Sequence, residues 1–208
     1  MARPRRSRST SREPRDVAAS ILDAAEELLA ERSLAELTVA DLLRAAGVAR
    51  GSFYFYFESK EGVVAALLER IVDEVHDASL PWLDRGDTEP RQALGAAIGG
   101  SLALWRRHAP VMRATVESLQ TTPAIRDLWG AVLERFATES ATQIEKDRAA
   151  GLAPDGRPAL SLAGALVAMN ERSFYFAVAD GEPEADGELA ETLTSIWVSS
   201  IYGASPAT

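Results

Sequence analysis

Three features of the 208-residue sequence predict an all-α protein. Apolar residues recur at three- and four-residue intervals along most of its length. Gly and Pro mark most of the breaks between these periodic stretches. No alternating apolar–polar run of strand length competes with them. The breaks divide the chain into about nine helices, the first three short enough to form a small N-terminal head.

The first helix shows as the stripe Val17, Ile21, Ala25, Leu28 and Leu29, closed by Glu31-Arg32-Ser33. Thr38 is a good N-cap for the second, whose Val39, Leu42, Leu43 and Ala46 are apolar and which Gly47 ends. Phe53 to Phe57 has strand propensity. Its place between helices, just after a turn glycine, predicts a third helix instead. A long helix follows Ser59, with Val64, Leu67, Leu68, Ile71 and Val75 on one side, and reaches residue 83. The polar run Asp84 to Asp87 then reads as a domain junction. Beyond it, helices are expected over 89–107, 110–120, 123–150, 158–179 and 186–203, bounded by Pro110, Pro123, the Gly151–Pro158 loop and Gly181 to Pro183.

Charge is unevenly divided. The total is −9, yet residues 1–60 carry ten Lys and Arg against nine Asp and Glu, and residues 61–208 twelve against twenty-two. Within residues 1–15, six arginines face only Glu13. Such a basic tail can find phosphate on an otherwise acidic protein, or serve only as a disordered, solubilising segment. The absence of Cys excludes a disulfide framework, thiolate catalysis and Cys-ligated metal. The longest apolar stretch, Ala93 to Trp105, is too short to span a bilayer, and no apolar run follows the N-terminal arginines. A soluble, cytoplasmic protein that does not enter membranes is expected.

Two short helices joined by Gly47-Val48-Ala49 have the form of a helix-turn-helix. Glycine suits the left-handed exit from the first helix. The second helix opens with Ala49, Arg50, Gly51 and Ser52, small or polar residues that fit a major groove. The whole segment from Thr38 to Glu61 resembles the DNA-binding domain of the tetracycline-repressor (TetR) family. That resemblance implies double-stranded operator DNA as partner. It places Tyr54 and Lys60 at the family's phosphate-contacting positions, Thr38 at a backbone contact, and Tyr56 where histidine is common. Phe53 and Phe57 fall to the head's core.

A second resemblance covers most of residues 17–203. Met169-Asn170-Glu171-Arg172 and Ile196 to Gly203 are similar to segments of the ethionamide-resistance regulator (EthR) subfamily. The likeness implies residues 16–83 as DNA-binding head plus connecting helix, and 84–208 as a domain for dimerisation and a small apolar ligand. Leu94, Trp105, Trp129, Phe136, Val167, Asn170, Phe174 and Trp197 are the candidate pocket, with Asn170 as its polar anchor. Each aromatic is equally explained as core, and the amide as a helix–helix hydrogen bond. Val167 departs from the subfamily's second Asn, and Leu94 lacks an aromatic ring.

No other constellation carries chemistry. Gly95 to Ser101 lacks the Lys-Ser/Thr of a phosphate loop, so its glycines predict close helix packing or a cavity. His76 and His108 have no partners at metal-ligand spacing, and no acid–base pair or nucleophile is evident. Neither an enzyme nor a cofactor or metal is expected. The remaining alternative is a helical small-molecule-binding protein without specific DNA readout. Homodimerisation is expected through Leu162, Leu166 and Phe176 on one late helix and Leu189, Leu193, Ile196 and Ile201 on the other. Replacing Gly99 by Trp is expected to block ligand binding, or to mimic it by locking one spacing of the two heads.

Overall fold

A computed structural model describes residues 14–180 and 182–203, so the arginine-rich tail lies outside the described residues apart from its last two positions. Every regular element among the described residues is helical, as expected. The order is α1 (Pro14–Glu31), α2 (Val39–Ala46), α3 (Arg50–Tyr56), α4 (Lys60–Leu83), α5 (Pro90–Arg107), α6 (Ala109–Ser118), α7 (Pro123–Ala149), α8 (Ala159–Asp180) and α9 (Asp186–Tyr202). A single 3-10 turn, Pro183–Ala185, precedes α9. Phe53 to Tyr56 are helical, so the strand propensity of the aromatic run is overridden by its place in the head.

The chain divides into two compact units, Met1–Val63 and Val64–Thr208. The division falls one turn into α4. The Asp84 to Asp87 break is the turn between α4 and α5, inside the second unit. Trp82 and Arg85 hold it there through hydrogen bonds to Tyr202 and Asp147.

In the first unit α1 packs on α2 and α3. Ile21, Ala25, Leu29, Leu42 and Phe53 bury its core, and Phe53 stacks near Phe57, itself half-buried, at 6.0 Å. Thr38 starts α2 with a reciprocal capping box: its hydroxyl accepts from the Asp41 backbone N–H, and Asp41 accepts from the Thr38 N–H. Gly47 ends α2 at φ 64°, where a side chain would be strained.

In the second unit α8 is central, touching α5, α6, α7 and α9, while α5 also lies along α9. Two of the α5 glycines lie where a Cβ would make only ordinary van der Waals contact, so packing alone does not require glycine there. A Cβ on Gly95 would meet Thr194 at 3.8 Å, and one on Gly100 would meet Ala78 at 3.5 Å. Arg106 grips Asp186 through two N–H donors at 2.8 and 2.7 Å, tying the end of α5 to the start of α9. Deeper in, Asp147 accepts from Arg85 Nη2 at 2.7 Å, Tyr202 Oη at 2.5 Å and Gln143 Nε2 at 3.0 Å. The pair Arg85–Asp147 is buried, and Arg85 Nη1 donates to the carbonyls of Gly86 and Thr88, while its Nε is buried without a partner. Burial and the bond to Asp147 push the Tyr202 phenol well above its usual value.

The packing corrects three of the residues expected at a dimer face. Leu166, Leu193 and Ile201 are buried within their own unit. An apolar stripe shows that a side chain is buried, not which chain buries it. Phe176 and Ile196, by contrast, are 57% and 38% exposed.

Candidate DNA-contact face and ligand cavity

Ala49, Arg50, Gly51 and Ser52 occupy the start of α3, with Ala49 as an N-cap that offers no side-chain hydrogen bond. The backbone N–H groups of that turn therefore have no capping side chain on them, the condition that suits a helix end to an anion. Arg50 and Gly51 are exposed, and a Cβ on Gly51 would meet nothing within 4 Å. The Arg50 guanidinium lies over the Tyr54 ring, 5.5 Å from its centroid, which holds both side chains on one side of α3. Tyr54 is 46% exposed, whereas Tyr56 is half-buried and meets Phe55 edge-on. Phe55 is 80% exposed, although it belongs to the same aromatic run as the buried Phe53.

Thr38 is exposed but already engaged in its capping box, where its hydroxyl also donates to Asp41 Oδ2 at 2.6 Å. That cap, more than any charge, holds the Asp41 carboxyl below its ordinary value. Lys60 departs further from the expectation of a free phosphate contact. Its ammonium donates to the carbonyls of Leu34 at 2.6 Å, Ala35 at 3.2 Å and Leu37 at 2.7 Å. An ammonium has three hydrogens, and this loop takes them all. Lys60 thus fixes the loop that ends beside Thr38. Nothing in the local sequence signals the contact, because the partners lie 23 to 26 residues away.

The second unit contains a partly open cavity of about 100 Å³. Leu94, Trp105, Trp129, Phe136, Val167, Asn170, Phe174 and Trp197 all line it, so the structure brings every expected pocket residue together. All of the protein's four tryptophans are in its wall, Trp82 being the one not foreseen. Trp105 meets Trp129 and Phe174 edge-on at 5.9 and 5.8 Å, and Trp82 meets Trp197 likewise at 5.4 Å. The Trp197 indole N–H donates to Asn170 Oδ1 at 3.0 Å. The amide thus makes the helix–helix bond and lines the cavity at once, so its two readings do not compete.

Val75, Ser79, Ile98 and Ser101 also belong to the wall and were missed, and Glu171 lines it as well. Glu171 lies beside Asn170 on the inward stripe of α8. Its carboxyl is pushed above the ordinary range, chiefly by burial, with the Arg172 charge opposing. Gly99, expected to face the pocket, is not part of the wall, and a Cβ there meets nothing within 4 Å. The wall positions of α5 are Leu94, Ala97, Ile98, Ser101 and Trp105; their three- and four-residue spacing leaves position 99 on another face.

Among the described residues no cluster of His, Cys, Asp and Glu could hold a metal ion, and no helix is long and apolar enough to cross a membrane.

Residues 21–67 match the model of bacterial regulatory proteins of the tetR family, and residues 94–203 match the C-terminal domain of the transcriptional regulator EthR. The sequence is 35% identical over 204 residues to the HTH-type transcriptional regulator EthR of Mycolicibacterium smegmatis, covering 98% of this chain and 94% of that protein. It is 36% identical over 206 residues to the regulator of the same name from Mycobacterium tuberculosis, with the same coverages. A solved TetR-family structure from Syntrophomonas wolfei shares the fold at TM-score 0.75 and 16% identity, over 94% of this chain and all of that one.

Proposed function

We propose, for a chain that belongs to the TetR family of DNA-binding transcriptional regulators and carries an EthR-type C-terminal domain, a ligand-responsive repressor. It binds operator DNA in the cytoplasm as a homodimer and is released by a small, mostly apolar molecule. The observation that carries the DNA half is the capped α2, the left-handed Gly47 and the exposed first turn of α3 with Arg50 above Tyr54. These features fit a recognition helix whose start meets base edges while flanking groups meet phosphate.

The ligand half is supported by the apolar, aromatic cavity with few polar groups. A volume of about 100 Å³ is well below that of an ordinary ligand site, so the cavity must widen to fill. A ligand can alter DNA affinity only by binding the DNA-competent and released states unequally, and a cavity that widens on binding supplies that inequality.

Electrophoretic mobility shift with DNA from upstream of the protein's own and neighbouring genes tests the reading. A specific shift is expected. Arg50→Ala should weaken it by about 1–3 kcal/mol and relax base preference. No specific shift on any such fragment would favour instead a small-molecule-binding protein that has lost DNA readout.

A further inference from the structure

The cavity wall contains a charge that an apolar ligand would leave unsatisfied. Glu171 is 9% exposed, and its Oε1 has no hydrogen-bond partner. Its Oε2 lies 3.9 Å from the Arg172 guanidinium. The nearby Trp129 indole N–H opposes the upward shift of the Glu171 pKa, but it too is buried without completing a hydrogen bond. A carboxylate drawn from water without full pairing is strongly unfavourable, and pairing it with an incoming charge recovers what desolvation costs. The same wall carries the rings of Trp105, Trp129 and Phe174, the kind of surface that attracts an organic cation. Asn170 complements this. The Trp197 bond fixes its orientation, and its NH2 group is left to donate to an acceptor elsewhere on the same molecule.

We infer that the cavity selects hydrophobic amines: an alkyl or aryl body among the rings, with a protonated nitrogen donating to Glu171. This rests on the cavity being the effector site, and deepens that reading.

The full-length protein is titrated at neutral pH with octylamine, 1-octanol and octanoate, following intrinsic tryptophan fluorescence and melting temperature. The wild type is expected to bind octylamine about tenfold or more tightly than 1-octanol, and octanoate most weakly. Glu171→Gln, which keeps the side chain's shape, should abolish the amine's advantage and leave 1-octanol affinity within about twofold. Equal binding of amine and alcohol by the wild type would overturn the amine inference and leave the cavity reading intact. So would an amine preference that survives in Glu171→Gln, since it would arise at the acidic surface. If none of the three binds, both readings fall. Val167→Trp, which fills the wall beside Asn170, should abolish binding of all three and so identifies the cavity as their site.

Discussion

Trp197 donates its indole N–H to Asn170 Oδ1 across 3.0 Å, joining α9 to α8 in the cavity wall. One bond thereby sets the amide's orientation and fastens one of the four tryptophans. Asn170→Leu leaves the indole N–H without its acceptor in an apolar setting, and should lower stability by about 1–3 kcal/mol. Urea unfolding measures this. Wild-type stability in the variant would mean that the indole finds another acceptor and the bond contributes nothing.

Lys60 offers a sharper choice. A phosphate-contacting lysine would make Lys60→Ala weaken binding to all DNA sequences and flatten the salt dependence by about one unit. With all three hydrogens on the Leu34, Ala35 and Leu37 carbonyls, the expected result is different. Thermal melting should fall, by about 1.5–3 kcal/mol for charged hydrogen bonds, while the salt slope of DNA binding stays unchanged. A flattened slope with unchanged melting would return the ammonium to the phosphate.

Glu171 makes an electrostatic prediction that needs no ligand. Its folded-state pKa is raised above 4.5, so the protonated form is favoured on folding. The stability this contributes is complete below pH 4.5 and is lost as pH rises through the folded value. At neutral pH the unliganded protein therefore carries a penalty. Glu171→Gln should melt higher than wild type at pH 7, with the gap closing as the medium is acidified. A gap that is absent or reversed at pH 7 would show that the carboxylate is adequately partnered in the free protein.

The proposed homodimer has two apolar residues left uncovered on the last two long helices through which to pair. Phe176 of α8 and Ile196 of α9 remain exposed, while Leu166, Leu193 and Ile201 do not. Charge at the first two positions should dissociate a dimer without disturbing the fold. Sedimentation of Phe176→Glu/Ile196→Glu at micromolar concentration should give a monomer with wild-type helicity. A dimer that survives both changes would place the interface elsewhere.

The helices were legible because their signals are local: a 3–4 stripe, a capping threonine, a glycine at φ 64°. Periodicity put Asn170 on an inward apolar stripe, while the rest of the candidate pocket came from the resemblance to the EthR subfamily. What the sequence left hidden depends on partners far away in the chain. The cradle of carbonyls around Lys60 and the joining of Arg85 to Asp147, 62 residues on, leave no trace in either neighbourhood. Leu193 and Phe176 look alike in sequence. Only packing separates the one that fills its own core from the one left uncovered.

The glycines of α5 bear on how fast the cavity can grow. Three of them lie within six residues of a helix that forms one wall, and only Gly95 and Gly100 would bring a Cβ against a neighbour. Each weakens helix propensity by about 1 kcal/mol relative to alanine. The central turns of α5 should therefore breathe more readily than the rest of the wall, and their amide hydrogens should exchange with deuterium ahead of those of α8. Gate-like opening would then be a property of composition, written into the segment that has the least to lose by melting.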